Sequence, residues 1–113
     1  MDYQYDRQDN YVVLTIKGDL IGEEKSHDII TELESYNNGR NINLLVDISE
    51  VRYINSSGLG ILITLLTKVR NRGGELYLIN PSESVKKLLI ITKLETIFKV
   101  YHSASEALAD IPA

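Results

Sequence analysis

The chain has 113 residues, 43% of them hydrophobic and 25% charged, with a formal net charge of -4, no Cys, no Trp, two His and two Pro. This suits one domain spanning residues 1–113, and it excludes disulfides, thiolate metal sites and cysteine nucleophiles, leaving only His27 and His102 as imidazoles. The acidic balance disfavours nonspecific nucleic-acid or anionic-membrane binding, and with neither a leader pattern nor an apolar run near ~18–20 residues, the expected location is cytoplasmic.

Two β-prone runs open the chain, Tyr3 to Tyr5 and Tyr11 to Ile16, and Gln8-Asp9-Asn10 between them has turn chemistry, which predicts a hairpin. After Gly18-Asp19-Leu20, the spacing of Ile29, Ile30, Leu33 and Tyr36 predicts a helix from about Gly22 to Asn37. Glu23 and Glu24 would lie in its electropositive first turn and Asn38-Gly39 would end it. Ile42 to Ile48 is almost continuously apolar, as expected of a strand buried on both faces. A loop from Asp47 to Ser57 is expected next, on the sheet edge where ligands and partners commonly dock.

From about Ser57 to Arg72 the pattern is again helical, with Leu59, Leu62, Ile63, Leu66 and Val69 forming one buried stripe. Arg72-Gly73-Gly74 closes it, and Glu75 to Ile79 reads as a strand. Asn80-Pro81-Ser82-Glu83 predicts a further helix start with Asn80 as the cap, and Val85, Leu88 and Leu89 mark its buried side. A short strand at Lys99 to Tyr101 and a helix from about Ser103 to Ala109 finish the chain. Strand and helix alternation after an antiparallel hairpin implies an α/β fold, with a mostly parallel sheet packed against helices.

Enzymatic constellations are missing their context. Gly58-Leu59-Gly60 is not part of a dinucleotide fingerprint, there is no phosphate-binding Gly-x-x-x-x-Gly-Lys loop, and Ser56 and Ser57 lack a Gly-x-Ser-x-Gly elbow. Asp19 and Asp47 could approach one another as a receiver-like acid pair, but no adjacent acids support it. No catalytic residue, metal ligand or cofactor site is therefore assigned.

The informative stretch is Tyr53-Ile54-Asn55-Ser56-Ser57-Gly58-Leu59-Gly60. Its plain reading is a helix start capped by Asn55 or Ser56, with Gly58 and Gly60 permitting close packing. The same arrangement places exposed hydroxyls beside unpaired N–H groups, where an added phosphate is electrostatically favoured and can repel a docked partner. At 100° per residue, Ile61 and Leu65 project away from the predicted stripe. Either a neighbouring element covers them, or they form an exposed apolar strip for a partner beside the serines.

The order of elements and this motif resemble the STAS domain, particularly stand-alone anti-sigma factor antagonists. The resemblance rests on Val12 to Leu20, Leu44 to Val51, Tyr53 to Gly60, Arg72 to Leu76, Val85 to Leu89 and Leu94 to Phe98, nearly the whole chain. It implies a protein that catalyses nothing itself. Such proteins bind an anti-sigma factor, usually a serine kinase of the GHKL type, and thereby release a sigma factor. The kinase would phosphorylate Ser56, a metal-dependent serine phosphatase would reverse this, and Asn55, Ser56, Ser57, Gly58, Ile61 and Leu65 would form the partner surface. Family members commonly carry Asp where this chain has Asn55. A STAS adaptor subunit of another signalling or lipid-transport assembly is the alternative, and a nucleotide-binding module is of another class again.

Overall fold

The computed structural model describes residues 1–22, 24–36 and 42–111. The N-terminal hairpin forms as its turn chemistry predicts: β1 (Asp2–Arg7) and β2 (Val12–Leu20) pair antiparallel, and Gln8 N donates to Tyr11 O at 2.9 Å across the turn. β2 then pairs parallel with β3 (Asn43–Ile54), β3 with β4 (Glu75–Ile79), and β4 with β5 (Lys99–Tyr101). The five-stranded mixed sheet therefore has the order β1-β2-β3-β4-β5. Helices α1 (Glu24–Ser35), α2 (Ser56–Asn71) and α3 (Glu83–Ile91) link the parallel strands, a 3₁₀ turn at Leu94–Thr96 precedes β5, and α4 (Ala104–Asp110) follows it.

Alternation along the central strands sorts the core into two layers. Leu44, Val46 and Ile48 of β3, with Leu76 and Leu78 of β4, pack with Ile29 and Leu33 of α1, Leu62 and Leu66 of α2, and Val85 and Leu89 of α3. Leu45, Tyr77 and Ile79 point to the opposite face, which α4 covers through Ala107. Burial on both faces explains why Ile42 to Ile48 is so apolar. At the sheet edge, the buried Tyr5 hydroxyl donates to Ile29 O at 2.6 Å and the Tyr3 hydroxyl to Glu32 at 3.1 Å, fastening α1 over β1. Burial pushes the Tyr5 phenol pKa upward, so it remains a donor well into alkaline solution.

Several sequence expectations shift. α1 spans Glu24–Ser35 rather than Gly22 to Asn37, and the expectations for Glu23 and for Asn38-Gly39 lie outside the described residues. β3 continues to Ile54, so most of the expected Asp47 to Ser57 loop is strand. Register shifts between Thr15 and Lys17 and between Gly18 and Leu20 replace the two-residue period with a buried residue every third position, at Ile48, Val51 and Ile54. Ser82 rather than Asn80 caps α3, its hydroxyl accepting from Val85 N at 3.3 Å. Asn80 instead turns the chain at φ 51° and donates its N–H to Tyr101 O.

The largest correction concerns Ile61 and Leu65. They are buried, at 6% and 0% exposure, whereas Ile63 of the expected stripe is 36% exposed. α2 packs against α1 as well as β2, β3 and β4, so its buried arc takes in a flank that a single-sided amphipathic pattern assigns to solvent. Ile61 and Leu65 are core residues and present no strip to a partner.

Candidate functional site

Asn55 is the single residue between β3 and α2. Its extended backbone, φ -101° and ψ -176°, directs the side chain over the first turn, where Oδ1 accepts from Gly58 N at 2.8 Å. Its carbonyl accepts from Leu59 N at 2.9 Å. Of the four N–H groups that a helix start leaves open, Gly58 N is met by the Asn55 side chain and Asn55 N by Leu20 O, while Ser56 N and Ser57 N have no protein partner among the described residues. No acidic side chain occupies that first turn. Two open donors and the positive end of the helix therefore face solvent beside two exposed hydroxyls.

The opposite wall comes from β2 and the residues after it. Ile54 is in register with Leu20, and Asn55 reaches over that pair twice: its N–H donates to Leu20 O at 3.3 Å and its Nδ2 to Ile21 O at 3.2 Å. Gly58 makes this close approach possible, since a Cβ there would lie 2.0 Å from Leu20 O. Gly60 has nothing within 4 Å of such a Cβ, so of the two glycines only Gly58 is required for packing. Gly22, at φ 76°, abuts Ser57, and a Cβ on it would fall 2.4 Å from the Ser57 Cβ. Both serines are exposed, and they differ in that Ser57 stands against the turn after β2.

Asn55, Ser56, Ser57 and Gly58 are thus brought together as the sequence suggested, and Ile61 and Leu65 are withdrawn from the surface. Sequence reasoning missed the apolar side chains exposed here, Ile21 at 41% and Tyr53 at 57%. Ile21 follows directly on the end of β2. Tyr53 lies on β3 two residues before Asn55 and lines an open groove with Ile54, Val85 and Leu88. Only the altered period of β3 could have signalled Tyr53.

The acid pair does not assemble. Asp19 lies between Gly18 and Leu20, which pair with Val51 and Ile54, while Asp47 stands opposite Thr15, four residues back along β2 and roughly 13 Å away at ~3.3 Å per residue. Asp47 is occupied locally, accepting from Ser49 N at 3.0 Å and Ser49 Oγ at 2.7 Å. His27 and His102 are exposed, and among the described residues neither is hydrogen-bonded to Ser56 or Ser57. No cluster of three His, Asp or Glu suited to a metal ion occurs among those residues either, and no described helix is long and apolar enough to cross a membrane.

The chain resembles known proteins over its length. The model of the STAS domain matches residues 2–107. A candidate anti-sigma factor antagonist of Thermotoga neapolitana is 41% identical over 78 residues, covering 69% of this chain and 68% of the relative. The anti-sigma-B factor antagonist of Listeria monocytogenes is 34% identical over 74 residues, 66% of this chain and 65% of the relative. A crystal structure of a candidate anti-sigma factor antagonist from Thermotoga maritima superposes with a TM-score of 0.84 at 29% identity, over 96% of this chain and 93% of that one.

Proposed function

The chain belongs to the STAS family, and from that membership we propose that it is an anti-sigma factor antagonist, a regulatory protein rather than an enzyme, switched by phosphate on Ser56. In this reading it binds an anti-sigma factor that is also a GHKL-type serine kinase and so frees a sigma factor. The kinase transfers the γ-phosphoryl group of ATP to Ser56 Oγ, which loses its proton, and ADP leaves. A metal-dependent serine phosphatase hydrolyses the ester and restores binding.

The observation that carries this reading is the exposed Ser56 hydroxyl at a helix start whose first two N–H groups are open and whose first turn holds no carboxylate. A phosphoserine brings ~1.5–2 negative charges and three acceptor oxygens, which such a start accommodates without rearranging the core. The same charge set in a docked interface repels or excludes the partner. Ser56 is favoured over Ser57 because Gly22 stands against the latter.

The test uses purified GHKL-type anti-sigma factors from the source genome. One of them with ATP should add a single phosphate, mapped to Ser56 by mass spectrometry. Ser56→Ala should bind it like the wild-type chain and Ser56→Asp at least tenfold more weakly. An unmodified chain, together with equal binding by Ser56→Asp, would remove the switch.

A further inference from the structure

We infer that Asn55 is a positioning residue that locks the turn after β2 to the start of α2, so that exposed Ile21 and Ser56 form one continuous surface read by the partner. The partner is the anti-sigma factor of the preceding reading, and that part of the inference rests on it. The lock itself is a property of this chain alone.

The argument is one of donors and acceptors. Gly58 N–H can only donate, so the Asn55 side-chain atom 2.8 Å from it is the oxygen, and the amide nitrogen faces the Ile21 carbonyl at 3.2 Å. One side chain thus accepts from α2 and donates to the segment after β2. An Asp of the same shape would still cap Gly58. It would have no proton for Ile21 O when ionised, and would set a carboxylate oxygen against that carbonyl. The cap and the lock are therefore separable by one atom.

The lock has something to hold. Gly22 bends the chain at φ 76° directly against Ser57, and Leu20 O lies under Gly58, so the path of residues 20–22 and the path of residues 55–58 are packed backbone to backbone. Ile21 sits in the middle of this contact with its side chain 41% exposed. Nothing in the core accounts for a large aliphatic residue presented there, whereas an aliphatic anchor beside a modifiable hydroxyl suits a protein interface whose affinity a phosphate can cancel. A loosened turn would let Ile21 wander from Ser56, and the partner would have to order it on binding.

The experiment has two arms on the full chain. In the first, amide hydrogen exchange and nitrogen-15 spectra are compared for wild type, Asn55→Asp and Asn55→Ala. Asn55→Asp should keep the melting temperature within a few degrees, because the cap persists, yet shift the Gly22 resonance and speed at least tenfold the exchange of the residue 55 amide, which donates to Leu20 O. Asn55→Ala should lose both. Unchanged Gly22 signals in Asn55→Asp would overturn the lock. In the second arm, affinity for the anti-sigma factor that binds the wild-type chain is measured. Ile21→Ser should bind about tenfold more weakly at an unaltered melting temperature, and Asn55→Asp should be weakened likewise. Wild-type affinity in Ile21→Ser, alongside loss in Ser56→Asp, would overturn the surface and leave the phosphoswitch standing. Failure of the wild-type chain to bind any anti-sigma factor would overturn the functional reading and the surface with it, while the first arm still decides the lock.

Discussion

The two ends of α2 are finished in opposite ways. At the C-terminal end Arg72 N donates to Val69 O, Gly73 N to Arg70 O and Gly74 N to Val69 O, so the Val69 and Arg70 carbonyls are satisfied within the chain. Lys68 and Arg70 complement the negative end of the dipole, and both are engaged, Lys68 with Glu34 and Arg70 with Glu75 at 3.0 Å and Ile97 O at 2.7 Å. At the N-terminal end one neutral amide caps Gly58 N, Leu20 O takes the Asn55 N–H, and the Ser56 and Ser57 N–H groups are left open beside exposed hydroxyls. One end spends its polar groups on the fold. The other holds them in reserve against a rigid backing, as a modifiable contact surface requires.

That backing is the first place to strike. Gly58→Ala should be the most damaging single-methyl change in the motif, because its Cβ would meet the Leu20 carbonyl, a backbone atom that cannot swing aside. Overpacking of this kind costs about 3 kcal/mol. Gly60→Ala adds the same methyl group one turn fragment further on, into open space, and should be neutral or stabilise by up to ~1 kcal/mol through helix propensity. Thermal melting of the pair checks this. Equal melting temperatures would mean that α2 does not seat on β2 as described.

The contrast between those glycines also shows what could be read from the chain. β4 lies where the sequence puts it to the residue, because Gly73-Gly74 and Asn80-Pro81 punctuate a short and largely apolar run. The serine motif as a helix start capped by Asn55 or Ser56 was legible too, since capping is a local matter of three residues, and the structure selects Asn55. What could not be read depends on elements distant in sequence. Which of Gly58 and Gly60 is indispensable turns on Leu20, nearly forty residues earlier. Ile61 and Leu65 looked spare because angular spacing counts one buried face, whereas α2 is covered by α1 and the sheet together. The exposed Tyr53 follows from register shifts that leave only the every-third-residue period of Ile48, Val51 and Ile54 as a trace, and the exposed Ile21 follows from a turn docked on α2, which leaves no pattern in the sequence itself.

At the finished end the next effect is smaller. Arg70→Ala removes the ion pair to Glu75 and the donor to Ile97 O, in a side chain that is 42% exposed. Solvent screens the charge component, so the loss should be about 1 kcal/mol, mostly from the carbonyl left without its donor. Urea denaturation of Arg70→Ala and Arg70→Lys separates the two contributions. If Arg70→Lys restored full stability, charge alone would be responsible, and the directed bond to Ile97 O would carry nothing.

The smallest effect isolates the charge pattern. The Lys68 ammonium donates to Glu34 across the α1–α2 contact and, with Arg72 nearby, holds the Glu34 carboxyl below its usual range. A carboxyl whose pKa is lower folded than unfolded favours the folded chain at pH values above the ordinary Glu value of 4.5, and that contribution disappears as the pH falls through the lowered folded value. Glu34→Gln should therefore melt marginally below wild type at pH 7, and the gap should close on acidification below about 4.5 and also in 1 M salt, where the Debye length is about 3 Å. Ser56→Ala, at the end without an ion pair, should differ from wild type by the same amount at every pH. A Glu34→Gln gap that persisted at low pH would show that packing of α1 on α2, rather than charge, holds that end closed, and the two ends would then differ only in their hydrogen bonds.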